Sequence, residues 1–139
     1  MGMRIQFLSA GQIVAVGTQN RYGGKISVFQ LNNNTALTTV DVAGTGTTST
    51  TPNYKYTTLS SPISVSANST YQIIFKNTVG GYAYHSISGF SNTNTSSGNL
   101  KLLGGGFINT GTSVTTPKRP TNNITSQGYG ATDLIFLPS

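Results

Sequence analysis

Asp41 and Asp133 are the only side-chain carboxylates in this chain, and His85 is its only imidazole. General acid–base chemistry needs two such groups set across a scissile bond, or one poised beside a nucleophile. Asp41 stands between Val40 and Val42 in a predicted strand, and Asp133 opens the last predicted strand. Both are expected to be ordinary hydrogen-bonded or ion-paired residues. A Ser–His–Asp triad could be written only by combining His85 with one of them, and no Gly-x-Ser-x-Gly elbow is present to expose the serine. His85, between Tyr84 and Ser86, reads as structural or surface-facing. The absence of Cys removes thiol nucleophiles, disulfides and zinc fingers together. Calcium held by Asn side chains and carbonyls around Asp41 or Asp133 is a weaker reading than plain structural roles. Gly104-Gly105-Gly106 lacks the following Lys-Ser/Thr of a phosphate loop and suits a bulge or a close backbone approach. The sequence therefore assigns no catalytic residue, no metal and no cofactor.

Binding chemistry has more material. Tyr22 in a turn, Tyr82 and Tyr84 beside His85, Phe90, and Tyr129 between glycines could stack on sugar rings framed by Asn and Gln. Tyr residues also fill the rims of β-sandwiches with their hydroxyls in water, and that is the preferred reading. Trp, the strongest sugar-stacking residue, is missing. The net charge of +6 comes from scarce acids, with eight Lys and Arg spread along the chain. Only Lys118 and Arg119 are adjacent. Nucleic-acid binders cluster their bases on one face, so this spacing argues against nucleic acid and for an anionic surface or an acidic protein partner. Lys118 and Arg119 are the expected contacts with such a partner.

These side chains need a scaffold, and the pattern is β throughout. Period-2 alternation, rich in Val, Ile, Thr, Tyr and Phe, recurs with turn residues every 8–12 positions. Strands are predicted at 4–8, 12–18, 25–31, 37–42, 54–59, 63–65, 71–76, 83–88, 100–103 and 132–137. Tyr71, Ile73 and Phe75 face one way, and Gln72, Ile74 and Lys76 the other. Ile74 on the nominally polar side predicts a strand covered on both faces. Turns are expected at 9–11, 20–24, 32–35 and 77–81, rich in Gly and Asn. No segment has a helical period, and Glu is absent. The polar segments 43–53, 89–99 and 109–128 read as loops, the last long enough to be functional. Charged residues are only 7% of the chain, yet no apolar run approaches a membrane-spanning length. The four Asn-x-Ser/Thr sequons are what so much Asn, Ser and Thr produces by chance.

Residues 56–73, YTTLSSPISVSANSTYQI, resemble the "strand, Ser-Pro-Val-x-Leu-x-Ala-Gly-x-x-Tyr, strand" segment of jelly-roll modules in bacterial secreted and surface proteins. Asn68 stands where those modules have the turn glycine. Residues 24–31, GKISVFQL, are similar to their early strand-and-turn unit, and 128–136, GYGATDLIF, to their closing strand after a Tyr-Gly pair. The three matches span roughly residues 4–137. The resemblance implies an antiparallel jelly-roll β-sandwich with an accessory, non-enzymatic role, and carries no catalytic residue.

The expectation is one β-sandwich domain over residues 1–139 with almost no helix, serving as a structural or binding module. A virion surface component, such as a capsid decoration or tail-associated protein in a homo-oligomer or lattice, suits the surface-type composition together with an N-terminus that has no export-signal pattern. A carbohydrate- or wall-binding module of a secreted protein, working through Tyr22, Tyr82, Tyr84 and Tyr129, is the alternative. Either places the chain on a virion surface or outside a cell.

Overall fold

The computed structural model describes residues 1–46, 53–77, 86–88, 93–95, 97–108, 110–111, 113–125, 127–129 and 132–139. They form eleven strands and no helix: β1 (Gly2–Phe7), β2 (Gly11–Thr18), β3 (Gly24–Gln30), β4 (Thr38–Val42), β5 (Lys55–Val65), β6 (Thr70–Asn77), β7 (Ser86–Ser88), β8 (Thr93–Asn94), β9 (Leu100–Gly106), β10 (Gln127–Tyr129) and β11 (Thr132–Pro138). All named pairings are antiparallel. The large sheet runs β4-β3-β6-β1-β9-β8 and the small sheet β11-β2-β5, while β10 and β7 pair by themselves.

The inner faces of the large and small sheets meet in one core. The large sheet contributes Ile5, Phe7, Ile26, Val28, Tyr71, Ile73 and Phe75, and the small sheet Ile13, Val16, Leu59, Val65 and Leu134. Phe7 ties them together. Its fully buried ring meets Tyr71 edge-on at 5.4 Å and Phe136 of the small sheet at 4.9 Å. Alternation dictates this layout, since every second residue of β1, β3 and β6 must leave water. The architecture is all-β and sandwich-like.

The other face of the large sheet is covered too, as Ile74 suggested. Ile74 and Gln72 are 1% and 2% exposed, and Ser27 and Phe29 on neighbouring β3 are equally enclosed. The described residues of segment 107–125 cross this face as a strap. The Gln72 amide donates to Pro120 O at 3.2 Å, the Lys76 ammonium donates to Gly111 O at 2.7 Å, and Gly105 and Ile124 exchange backbone hydrogen bonds. The predicted loop 109–128 is thus largely a third layer, and its end forms β10. Gly104–Gly106 makes room for the strap. A Cβ on Gly104 would lie 2.6 Å from Ile124 O, and one on Gly106 would lie 2.8 Å from Asn122 O.

Two strands predicted at 54–59 and 63–65 are one strand, β5. Its pairing with β2 jumps from Thr58↔Ala15 to Ile63↔Ile13, so residues 59–62 stand opposite Val14 alone. Pro62 cannot donate to a ladder and sits in this excursion. β9 extends to Gly106 where a strand over 100–103 was expected. A turn forms at the predicted 32–35, whereas residues 78–81 of the turn predicted at 77–81 lie outside the described residues. Asn32 and Asn68 take positive φ values of 66° and 61°, the left-handed conformation that Asn tolerates better than most residues. Residues 78–85, including part of the predicted strand 83–88, lie outside the described residues. No helix among the described residues is long and apolar enough to cross a membrane.

Candidate functional site

The bases that lie scattered in sequence converge in the fold. Residues directly opposed in an antiparallel pair share a face, and the core-facing sets fix which face that is. Arg4 opposes Gln72, Lys25 opposes Lys76, and Lys101 opposes Gln6, all on the side away from the core. Four strand cations therefore share the outer face of the large sheet. Lys118 and Arg119 lie on the strap that crosses it, giving six of the chain's eight bases on this side. Bases spread along the chain are thus gathered by topology, because strand register is invisible in residue spacing. Only Asp41 offsets the group, with Lys25 Nζ donating to its carboxylate at 2.6 Å. That pair is exposed and worth little to stability.

Arg119 is built into the strap by its neighbours. Pro117 and Pro120 are both buried, and proline leaves no N–H to satisfy there. Lys118 between them is exposed, whereas the half-buried Arg119 reaches back to the sheet. Its Nε donates to Asn34 Oδ1 in the β3–β4 turn at 3.0 Å, and its Nη1 donates to Gln72 Oε1 at 3.2 Å. Gln72 thus receives Arg119 on its carbonyl and serves Pro120 with its amide. Arg4 lies across from Gln72 in register. Its Nε is shut off from solvent and finds no hydrogen-bond partner. Burial, and then the Arg119 charge, lower the pKa of Arg4 below its ordinary value. Neither Asp can relieve this pair, because Asp41 engages Lys25 and Asp133 engages Tyr56 on the small sheet.

The aromatic candidates fare differently. Tyr22 is half-buried in the β2–β3 turn, its N–H donating to Asn20 Oδ1 at 2.9 Å and its ring carrying the Arg21 guanidinium at 5.4 Å. It stands at the opposite end of β3 from the Asn34 turn that holds Arg119. Tyr129 belongs to β10, opposite Ser86. Tyr82, Tyr84, His85 and Phe90 lie outside the described residues. A pair that sequence reasoning passed over does assemble. The rings of Tyr54 and Tyr56 are 6.2 Å apart at 32°, and the Tyr56 hydroxyl donates to Asp133 Oδ2 at 2.5 Å. Burial first, and then Asp133, raise both phenol pKa values above the usual tyrosine range. The i, i+2 spacing of the two tyrosines was the available signal. Only the strand pairing shows that Asp133 comes to meet them.

Among the described residues no three His, Cys, Asp or Glu side chains gather as a metal site. An open hollow of about 370 Å³ lies at the end of the small sheet, between Gly11, Val65 and Leu137, and holds no ionisable side chain. No protein-family model, curated protein or solved structure matches the chain.

Proposed function

We propose that this chain is a non-catalytic structural and binding module that docks an acidic protein partner on the strap-covered side of its large sheet, against the strap and the cations at its margins. The setting is an assembly such as a virion surface, as a capsid decoration or tail-associated protein, where homo-oligomers or lattices place many copies together. The observation that carries the reading is the gathering of Arg4, Lys25, Lys76, Lys101, Lys118 and Arg119 on one side of the molecule against a single carboxylate. Such a face attracts and orients anionic surfaces. Jelly-roll winding and kinship with bacterial surface modules belong to the same proposal. They are supported by a chain that alternates between sheets, with β1 in the large sheet, β2 in the small, β3 and β4 in the large, β5 in the small and β6 in the large.

Poly-L-glutamate titrated by calorimetry at two salt concentrations tests the docking. Binding is expected to weaken with salt, and to fall about tenfold or more in Lys76→Glu/Lys101→Glu but much less in Arg21→Glu/Lys55→Glu, which changes net charge equally. Equal losses in the two double variants, or tighter binding to a single-stranded oligonucleotide, would overturn it. Capsid and portal genes beside this one support the virion setting, and a longer reading frame with an export signal removes it.

A carbohydrate-binding module is the second reading, favoured by the Tyr54–Tyr56 pair next to Asp133. Aromatic faces beside a hydrogen-bonding carboxylate suit a sugar ring. A glycan array in which Tyr56→Ala loses a signal seen with the parent chain decides for it.

A further inference from the structure

Two arginines flank Gln72, and this chain has nothing with which to neutralise them. Arg119 is fixed by two neutral oxygens, Asn34 Oδ1 and Gln72 Oε1. Arg4 sits opposite Gln72 in the β1–β6 ladder, with its Nε closed to water and unpaired. A buried donor without an acceptor is costly, the more so when it is charged, so folded proteins rarely keep one without a reason. Two like charges held together add to that cost. The sequence rules out an internal remedy, since Asp41 and Asp133 are its only acidic side chains and both are engaged elsewhere.

The surroundings are also fixed. Gln72 is 2% exposed and bonded at both ends, to Arg119 and to Pro120 O. Pro117 and Pro120 anchor the strap on either side of Arg119. Opposite Arg4 on the other side, β9 places Gly104, against which the strap backbone at Ile124 packs. Two guanidinium forks, one held rigidly, make a receptor for a group that presents two oxygens.

We propose that Arg4 and Arg119, on either side of Gln72, form a specific site for one oxyanionic group, a side-chain carboxylate of the docked partner. The inference deepens the docking reading and rests on it only for the source of the anion. The group supplies the two guanidinium ions with the counter-charge that neither Asp provides. The partner is then an acidic segment with one anchoring Asp or Glu, and the lysines around the site serve attraction and not specificity.

The side-chain Nε–H signals of Arg4 and Arg119 report on the site by nitrogen–proton NMR. Inorganic phosphate and a hexaglutamate peptide are titrated separately, with ionic strength held constant by potassium chloride. Both signals are expected to shift and saturate together at one equivalent. Arg4→Lys and, as a second variant on the strap, Arg119→Lys keep the charge but lose the fork, and each is expected to weaken binding about tenfold or more. Lys55→Gln stays within twofold. Unsaturable shifts, or unchanged affinity in the correctly folded lysine variants, would falsify the site. Saturation by phosphate with no response to hexaglutamate keeps the site and overturns docking of an acidic protein. Hexaglutamate binding that depends on Lys76 and Lys101 but not on either arginine keeps docking and removes the site.

Discussion

At the scale of single residues, environment decides what a small ionisable inventory can do. Asp133 could have been half of a catalytic pair, yet the strand pairing sets it against the Tyr56 phenol, which donates to it. Partial burial, and then the contact, favour the protonated phenol, so the folded pKa of Tyr56 lies above its unfolded value. A group raised in this way stabilises the fold fully below about pH 10, where the unfolded phenol begins to ionise, and that contribution is lost as pH climbs toward the folded pKa. Tyr56 is 41% exposed, so solvent keeps the effect small. Absorbance at 295 nm is expected to show a late phase of tyrosine ionisation above the range of the unfolded phenol, and Tyr56→Phe diminishes that phase. Stability curves of this variant should be flatter between about pH 10 and 12 than those of the parent. A normal titration of all seven tyrosines would refute the contact.

At the scale of elements, strands were legible where β-branched and aromatic residues recur at alternate positions between turn residues. β1, β2, β3, β4, β6 and β11 fall within two residues of the ranges read from alternation. Legibility failed where partners lie far off in sequence. Residues 59–62 gave a break because Ser-Ser-Pro is turn chemistry, but the ladder resumes beyond them and β5 continues. The strap failed in the same way. Its Pro, Thr and Asn composition is that of a loop, and nothing local says that Pro117 and Pro120 are buried against a sheet. Gly104 is the hinge of that packing, with φ of 133° and the strap backbone where its Cβ would be. Gly104→Ala is expected to cost about 2–3 kcal/mol from backbone strain and the forced shift of the strap. Urea unfolding measures the loss. Limited proteolysis should show segment 107–125 cut faster than in the parent, and an unchanged digest would mean that the strap does not depend on Gly104.

At the scale of the whole molecule, the core between the sheets carries the stability, and Phe7 touches both sides of it. Removing a buried Phe side chain costs about 3–5 kcal/mol, a large share of the 5–15 kcal/mol that holds an ordinary domain together. Phe7→Ala is therefore expected to unfold at least partly at 37 °C, whereas Phe7→Leu stays folded with a lowered Tm. Circular dichroism melts check both, and a Phe7→Ala protein as stable as the parent would contradict a core shared by the two sheets. The candidate site is legible only at this scale. Arg4, Asn34, Gln72 and Arg119 are separated by long stretches of chain, and neither charge count nor spacing distinguishes them from Arg21 and Lys55. Register and the strap bring them together.

The excursion in β5 has a consequence for how copies can associate. A sheet grows by hydrogen-bonding further strands to its rims, and an open filament needs two competent rims per subunit. On the small sheet the β5 rim carries Lys55, Pro62 and a ladder interrupted over residues 59–62, all of which obstruct an incoming strand. The β11 rim, with Ile135 and Leu137 exposed beside it, is less interrupted, its ladder shifting only between Ile135 and Phe136. Strand addition on this sheet therefore ends at a closed pair, and runaway amyloid-like stacking is blocked by a kink that the sequence disguises as a turn.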